Sequence, residues 1–405
     1  MANSALAVSE TRADAVEEVV AAVAACAPEL QGYALAEEEE GKLSDKTVER
    51  LASAGVFDIS IPEAYGGLGL NVADQRRVYT EVGKIAGSTG WVAWVTTTHV
   101  RWIGMLDRKA QDEVYGMDWP GPRVSGVITA NGPGKATPVE GGYLLEGAWP
   151  FCSGSRHTAW SFLGAVVERE GGREHMVMLV PATELEIVDD WKVSGMRATA
   201  SNTVRLTKPT FVPEHRVIGS IAALTGQWRS PPPDGLLYRN NFIIYTTLLS
   251  GATPLGIAQG ALEYYMSRID KRGILGTEYK VQSDAPVTHL QLADAKWRID
   301  AAERVLKEDA AEIDLRAAEG RSHDPVFGAK VKFDVAVAVR HCAEAVEILS
   351  RGMGGTSILL TNPMQRYARD IRVATLHGQF NYETCAEEYG RILSGKPPFN
   401  FLANI

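Results

Sequence analysis

Trp160-Ser-Phe-Leu-Gly-Ala-Val-Val167, then Gly171-Gly172, then His175-Met-Val-Met-Leu-Val180 is the stretch that decides the fold class. Two short β-rich runs flank a glycine pair, which reads as a hairpin closed by a tight turn. Working outward, similar runs lie at 124–129, 143–151 and 203–211, with Gly141-Gly142 as a second turn. Short runs punctuated by glycine and proline predict an antiparallel sheet or barrel. On either side the pattern turns helical. From about residue 14 to 121, alanine, valine and glutamate dominate. Gly55 reads as a helix stop, 73–86 as a further helix and 91–106 as a buried apolar stretch. The glutamate run 37–40 reads as a solvated face or helix end. Residues 227–235, with Pro231-Pro232-Pro233, read as a stiff linker. Beyond it, Leu290, Ala293, Trp297, Ala301 and Val305 share one helix face. A second long helix over 326–349 ends at the glycines of 352–355, and Asn362-Pro363 opens a third. Pro254 is expected to kink a helix over 236–272. Because strands and helices are segregated, the expected fold is α+β. Its parts are a helical N-terminal domain (1–121), a central antiparallel β domain (122–226) and a C-terminal helical bundle (227–405).

Composition narrows the function classes. The chain has 405 residues, 45% hydrophobic and 22% charged, the profile of a globular protein. Its formal charge of −9 argues against nucleic-acid binding, which needs cations facing phosphates. No run approaches about 18 consecutive apolar residues, so no membrane partner is expected. The polar N-terminus lacks a signal-peptide core, and the four cysteines form no CxxC pair, so a reducing cytoplasm is the expected setting. There is no P-loop, HExxH or GxSxG string. Gly352-Met-Gly354-Gly355 lacks dinucleotide-fingerprint spacing and follows a helix. The eight histidines occur singly, so no metal site is expected.

Longer strings carry a resemblance. Gly55-Val-Phe-Asp-Ile-Ser-Ile-Pro62-Glu-Ala-Tyr-Gly66-Gly67-Leu-Gly-Leu70 resembles the N-terminal signature of the acyl-CoA dehydrogenase fold. Gly87-Ser-Thr-Gly-Trp91-Val, His99, Trp149-Pro-Phe-Cys-Ser153-Gly154 and Gly195-Met-Arg-Ala-Thr-Ala-Ser201-Asn-Thr203 narrow it further. Together they resemble the group D two-component flavin-dependent monooxygenases built on that fold. Arg369-Asp370-Ile-Arg-Val-Ala-Thr-Leu-His377-Gly378 matches a segment where acyl-CoA dehydrogenases usually carry a catalytic glutamate. Here Gly378 stands at the aligned position beside His377, and the group D enzymes carry a histidine at this spacing.

The resemblance implies a monooxygenase that hydroxylates an aromatic or polycyclic phenol with O2 through a C4a-hydroperoxyflavin. Reduced FMN or FAD would come from a separate flavin reductase, and the fold normally assembles as a homotetramer. Flavin supplies the hard chemistry and the protein supplies position and electrostatics. Ser153 would accept the flavin N5–H, with a turn serine bonding its own backbone as the alternative. Trp149 and Phe151 would wall the ring, or be core aromatics. His99 and His377 would be the base and the donor to the peroxide, in either order. His157 is expected at the surface and Cys152 to be structural. Arg272, Arg366 and Arg369 would hold the flavin phosphate, Gly354 and Gly355 would form the turn reaching a neighbouring subunit's flavin, and Asn131 would sit in a flavin loop. Each arginine has an alternative as a helix-surface ion-pair partner. The competing functions are an N-oxygenase of an amine such as a nucleotide-linked amino sugar, an acyl-CoA dehydrogenase with a relocated base, and a non-enzymatic helical scaffold.

Overall fold

The computed structural model describes residues 2–128, 134–170, 172–224, 226–321, 324–397 and 399, with side chains from residue 14 onward except that of 224. Among the described residues, five α-helices come first: α1 (Ala2–Glu40), α2 (Asp45–Ser53), α3 (Val72–Ile85), α4 (Gly87–Ile103) and α5 (Arg108–Tyr115). The Ser44 hydroxyl caps α2 by accepting from the Thr47 N–H, and Gly55 follows its end with φ 78°, the left-handed turn that glycine permits. By length and composition, 14–40 is apolar enough to cross a membrane. Its stripe Val16, Val19, Val23 and Leu30 is nevertheless buried in the same apolar cluster as Val78 and Val82 of α3. The glutamate run does lie at a helix end, but half of it is not solvated. Glu37 and Glu38 are each 3% exposed. Glu37 accepts from Ser44 and Thr47, and Glu38 pairs with Arg369 at 2.8 Å. Arg369 lies 331 residues away, so no local sequence pattern could have announced the pair.

Ten strands follow among the described residues: β1 (Val124–Val127), β2 (Gly134–Val139), β3 (Gly142–Glu146), β4 (Ala148–Trp149), β5 (Trp160–Arg169), β6 (Gly172–Pro181), β7 (Glu186–Val188), β8 (Thr203–Arg205), β9 (Thr210–Pro213) and β10 (Val217–Gly219). The main sheet runs β10-β6-β5-β2-β3-β9, with β1 also on β5, and β4-β8-β7 form a second, small sheet. The hairpins at Val139↔Gly142 and Arg169↔Gly172 lie where the glycine pairs placed them. The sheet is mixed, however, not antiparallel throughout. β1 and β2 follow one another along the same edge of β5, both parallel to it. Parallel pairing needs a crossover of a dozen or more residues, and the chain between β1 and β5 supplies it. The run 143–151 splits at Gly147 (φ 153°), and 203–211 splits before Pro209; in each case one half joins each sheet.

The chain then forms α6 (Ser220–Leu224), α7 (Phe242–Ser250), α8 (Ala252–Ile269), α9 (Pro286–Ala318), α10 (Pro325–Gly352), α11 (Pro363–Thr375) and α12 (Tyr382–Leu393). Asn362 caps α11, with Pro363 in its first turn. The expected kink at Pro254 is instead a break. Proline offers no N–H to the Ser250 carbonyl and its ring crowds it, so α7 ends at Ser250 and Pro254 sits in the first turn of α8. Helices before and after the sheet share one apolar core, while the sheet has its own around Leu145, Trp149, Leu163 and Met178. On α9 the buried residues include Ala295, Ile299, Ala302 and Leu306. The face read from the sequence points outward in its first half, with Leu290 73% and Trp297 57% exposed and Ala293 exposed, while Ala301 and Val305 are half-buried.

Candidate active site

Helix α4 is the wall on which the site is built. Its glycines and threonines are poor helix formers, so packing must hold it: every residue but Val95 is buried. Close approach to its neighbours depends on glycine. A Cβ on Gly90 would lie 2.8 Å from the Gly83 Cα of α3, and one on Gly256 of α8 would lie 2.2 Å from the Thr80 carbonyl oxygen.

Two loops meet α4. The first, Phe151 to Ser155, follows β4. Cys152 N–H donates to the Asn202 carbonyl at 3.1 Å and Gly154 N–H to the Thr199 carbonyl at 2.9 Å, which ties it to the second loop, Gly195 to Asn202. A Cβ on Gly154 would meet Thr96 of α4 at 2.9 Å. Among the described residues, the non-glycine residues with positive φ are Phe151 (65°), Met196 (54°) and Ala200 (47°), all in these two loops. Such backbone costs about 1–3 kcal/mol per residue and clusters at functional sites. The buried Ser153 hydroxyl lies 2.7 Å from that of Ser201, which lies 2.7 Å from that of Thr199. A cavity of about 160 Å³ lies beside the second loop, lined in part by Trp191, Arg197 and Asn202.

His99 faces the sheet from α4: a Cβ on Gly126 of β1 would touch its Nε2 at 3.0 Å. Its Nδ1 is 2.7 Å from the Val95 carbonyl. A carbonyl only accepts, so Nδ1 carries the proton and the neutral ring leaves a lone pair on Nε2. Burial pushes its pKa down to about 4. His377 follows α11 and packs edge-on against Trp91 at 5.2 Å and beside Phe380 at 5.4 Å. Its Nδ1 accepts the Gln379 N–H at 3.3 Å, so its neutral ring carries the proton on Nε2. Burial also brings it down to about 4. The two histidines thus present opposite tautomers. They contact α4 at turns about 8–12 Å apart along its axis, at ~1.5 Å per residue.

Other expected residues divide. Phe151 is 69% exposed, its ring edge-on to Trp191 at 5.7 Å, and is free to face a ligand. Trp149 is fully buried and donates its indole N–H to the Gly164 carbonyl at 2.7 Å, so it is core and walls nothing. Arg272 donates to the Thr356 hydroxyl at 3.0 Å and lies 3.5 Å from where a Cβ on Gly354 (φ 64°) would stand, which brings together the cation and the glycine turn. Nothing lies within 4 Å of a Cβ on Gly355. Arg369 has all three nitrogens engaged inside the chain, by Gln365, the Ser194 carbonyl and Glu38, so it braces the fold. Arg366 is 5% exposed, on the inner face of α11. Asn131 lies outside the described residues. His157 is half-buried rather than exposed: its Nε2 is buried without a hydrogen-bond partner and burial lowers its pKa to about 4. Burial pushes the Cys152 thiol up to about 11, which leaves it no thiolate role near neutrality. Sequence reasoning gave no role to Thr199, Ser201 or Asp370. The string from Gly195 to Thr203 was the signal for the first two. Asp370, buried with Oδ1 2.6 Å from the Met196 N–H, had only its place beside Arg369.

The chain resembles known proteins over most of its length. Residues 12–115 match the model of the acyl-CoA dehydrogenase N-terminal domain, and residues 248–382 match a model of its C-terminal domain. The chain is 30% identical over 392 residues to the flavin-dependent monooxygenase oxygenase subunit HsaA of Mycobacterium tuberculosis (strain ATCC 25618 / H37Rv), covering 94% of this chain and 96% of that one. It is also 30% identical to the oxygenase component of an FADH2-dependent resorcinol hydroxylase from Rhizobium sp. (strain MTP-10005), covering 94% and 95% of the two chains. Among solved structures, XiaF from Streptomyces sp. in complex with FADH2 and glycerol superposes with a TM-score of 0.89 at 30% identity, over 98% of this chain and 99% of that one.

Proposed function

Because the chain belongs to the oxygenase subunits of flavin-dependent monooxygenases, built on the acyl-CoA dehydrogenase fold, we propose that it hydroxylates an aromatic phenol using reduced FMN or FAD delivered by a separate reductase. The observation that carries this reading is the pair of strained, cross-bonded loops that set Ser153 beside α4, the helix that carries His99 and packs its Trp91 against His377. The residues present fit a reduced flavin: a buried hydroxyl at Ser153, an exposed ring at Phe151, and Arg272 beside the Gly354 turn for the phosphate. When bound, the reduced flavin supplies the two electrons that let one oxygen atom enter the substrate and the other leave as water.

The residues then take distinct tasks. His99 Nε2, a lone pair in a dry setting, accepts a hydrogen bond from the substrate hydroxyl and orients it. His377 Nε2–H donates a hydrogen bond on the oxygen side. Trp91 and Trp94, 9% and 4% exposed, exclude water around His377. The substrate class follows the relatives, one of which is named for resorcinol. A homotetramer is part of the proposal, supported by the outward apolar stripe of α9 and by Ile358, Leu359 and Leu360, 77%, 54% and 69% exposed, next to the Gly354 turn. The test is to supply reduced flavin through a reductase across a panel of phenols, measuring product and hydrogen peroxide together. At least one phenol should give a catechol-type product while peroxide release falls. Peroxide alone with every phenol, together with oxidation of an amino sugar, would contradict the reading.

A further inference from the structure

The hydroxyl chain behind Ser153 has a fixed direction. Thr199 Oγ1 lies 2.8 Å from the Met196 carbonyl oxygen, and a carbonyl cannot donate, so the single Thr199 hydroxyl proton points there. In the 2.7 Å contact with Ser201, Thr199 must therefore accept, which engages the Ser201 proton. In the 2.7 Å contact with Ser153, Ser201 must in turn accept, which engages the Ser153 proton. The reverse order would set two lone-pair oxygens of Thr199 and Met196 2.8 Å apart with no proton between them. The start of the chain is pinned on both sides. Met196 N–H donates to Asp370 at 2.6 Å, and Arg369 donates to the Ser194 carbonyl at 2.6 Å. All three hydroxyl residues are buried, at 7% exposure or less, so water does not compete for these bonds.

We infer that Thr199 and Ser201, anchored through Met196 by Asp370, are positioning residues that lock Ser153 as a pure hydrogen-bond acceptor and so make the site select reduced over oxidised flavin. N5 of a reduced flavin carries a hydrogen and donates, whereas N5 of an oxidised flavin has only a lone pair and needs a donor. A serine whose proton is held elsewhere satisfies the first and repels the second. An oxygenase subunit fed by a separate reductase needs this polarity, to capture the reduced form and release the oxidised one. The inference rests on the proposed placement of Ser153 at N5.

The test is the ratio of affinities, not turnover. The full-length protein is titrated anaerobically with photoreduced FMN or FAD, and separately with the oxidised forms, following tryptophan fluorescence. Ser201→Ala and Thr199→Val, checked for an unchanged melting transition, should lower the reduced-to-oxidised preference about fivefold or more, the size of one net hydrogen bond. Thr199→Ser keeps the hydroxyl and should retain the wild-type ratio. If Ser201→Ala and Thr199→Val leave the ratio unchanged while Ser153→Ala lowers it, the relay is overturned and the N5 contact stands. If Ser153→Ala also leaves it unchanged, Ser153 does not face N5, and the inference falls with that placement.

Discussion

The two site histidines share a direction of pKa shift but not a hydrogen-bonding state. Burial holds both near 4, so both stay neutral well below the usual histidine range. Turnover should therefore hold through pH 6.5 and lose its acid limb only towards pH 4, as His99 Nε2 gains a proton; a pH–rate profile at saturating reduced flavin measures this. Stability follows the same sign. The folded value of His99 lies below its unfolded 6.5, so the unfolded chain binds more protons between about 4 and 6.5. The stabilisation from the neutral ring is complete above that window and is lost as pH falls through it, at most ~3 kcal/mol. Buried Asp309, Asp314 and Asp370, raised to about 6, act with the opposite sign, so the difference between wild type and His99→Gln isolates the ring. At Arg369 the structure assigns bracing where the resemblance implied a cofactor ligand. Arg369→Ala leaves the buried Glu38 carboxylate without its cation and should cost ~3–5 kcal/mol, read as a lower urea midpoint. A fall in flavin affinity at unchanged stability would restore the cofactor role.

Among elements, the α3–α4–α8 crossing sets the shape of the site. Only hydrogen atoms separate the Gly83, Gly90 and Gly256 backbones from their neighbours. Gly256→Ala puts a methyl 2.2 Å from a backbone oxygen that cannot move aside, and should cost ~1–3 kcal/mol or more, seen in thermal melting. Gly390→Ala on α12, with nothing within 4 Å, is the control and should be neutral or slightly stabilising. Elements specified by local chemistry were legible in the sequence: the Gly55 stop, the Asn362-Pro363 start and both hairpins. What was not legible depended on distant partners. The parallel edge of β5, the burial of Glu38 by Arg369, and the Thr199–Ser201–Ser153 chain each join residues dozens to hundreds of positions apart. Trp149 shows the same limit from the other side: its motif marks the loop, but only the sheet core decides that the indole faces Gly164.

For the whole molecule, the apolar stripe of α9 is left uncovered at Leu290, Ala293 and Trp297. If it is a subunit contact, Trp297→Glu together with Leu290→Glu should shift the sedimenting species from a tetramer towards smaller forms, with the melting transition falling as the contact is lost. An unchanged sedimentation coefficient would place the subunit contact elsewhere. The charge of −9 has no direct part in the site, which is built from hydroxyls, neutral imidazoles, the buried Asp370 carboxyl and the half-buried Arg272. Oxygen-atom transfer is tested most directly by supplying reduced flavin and a turned-over phenol under 18O2 and weighing the product. One 18O atom per product molecule is predicted. Product containing only solvent oxygen, or bound flavin that an acyl-CoA reduces without any phenol being hydroxylated, would contradict it.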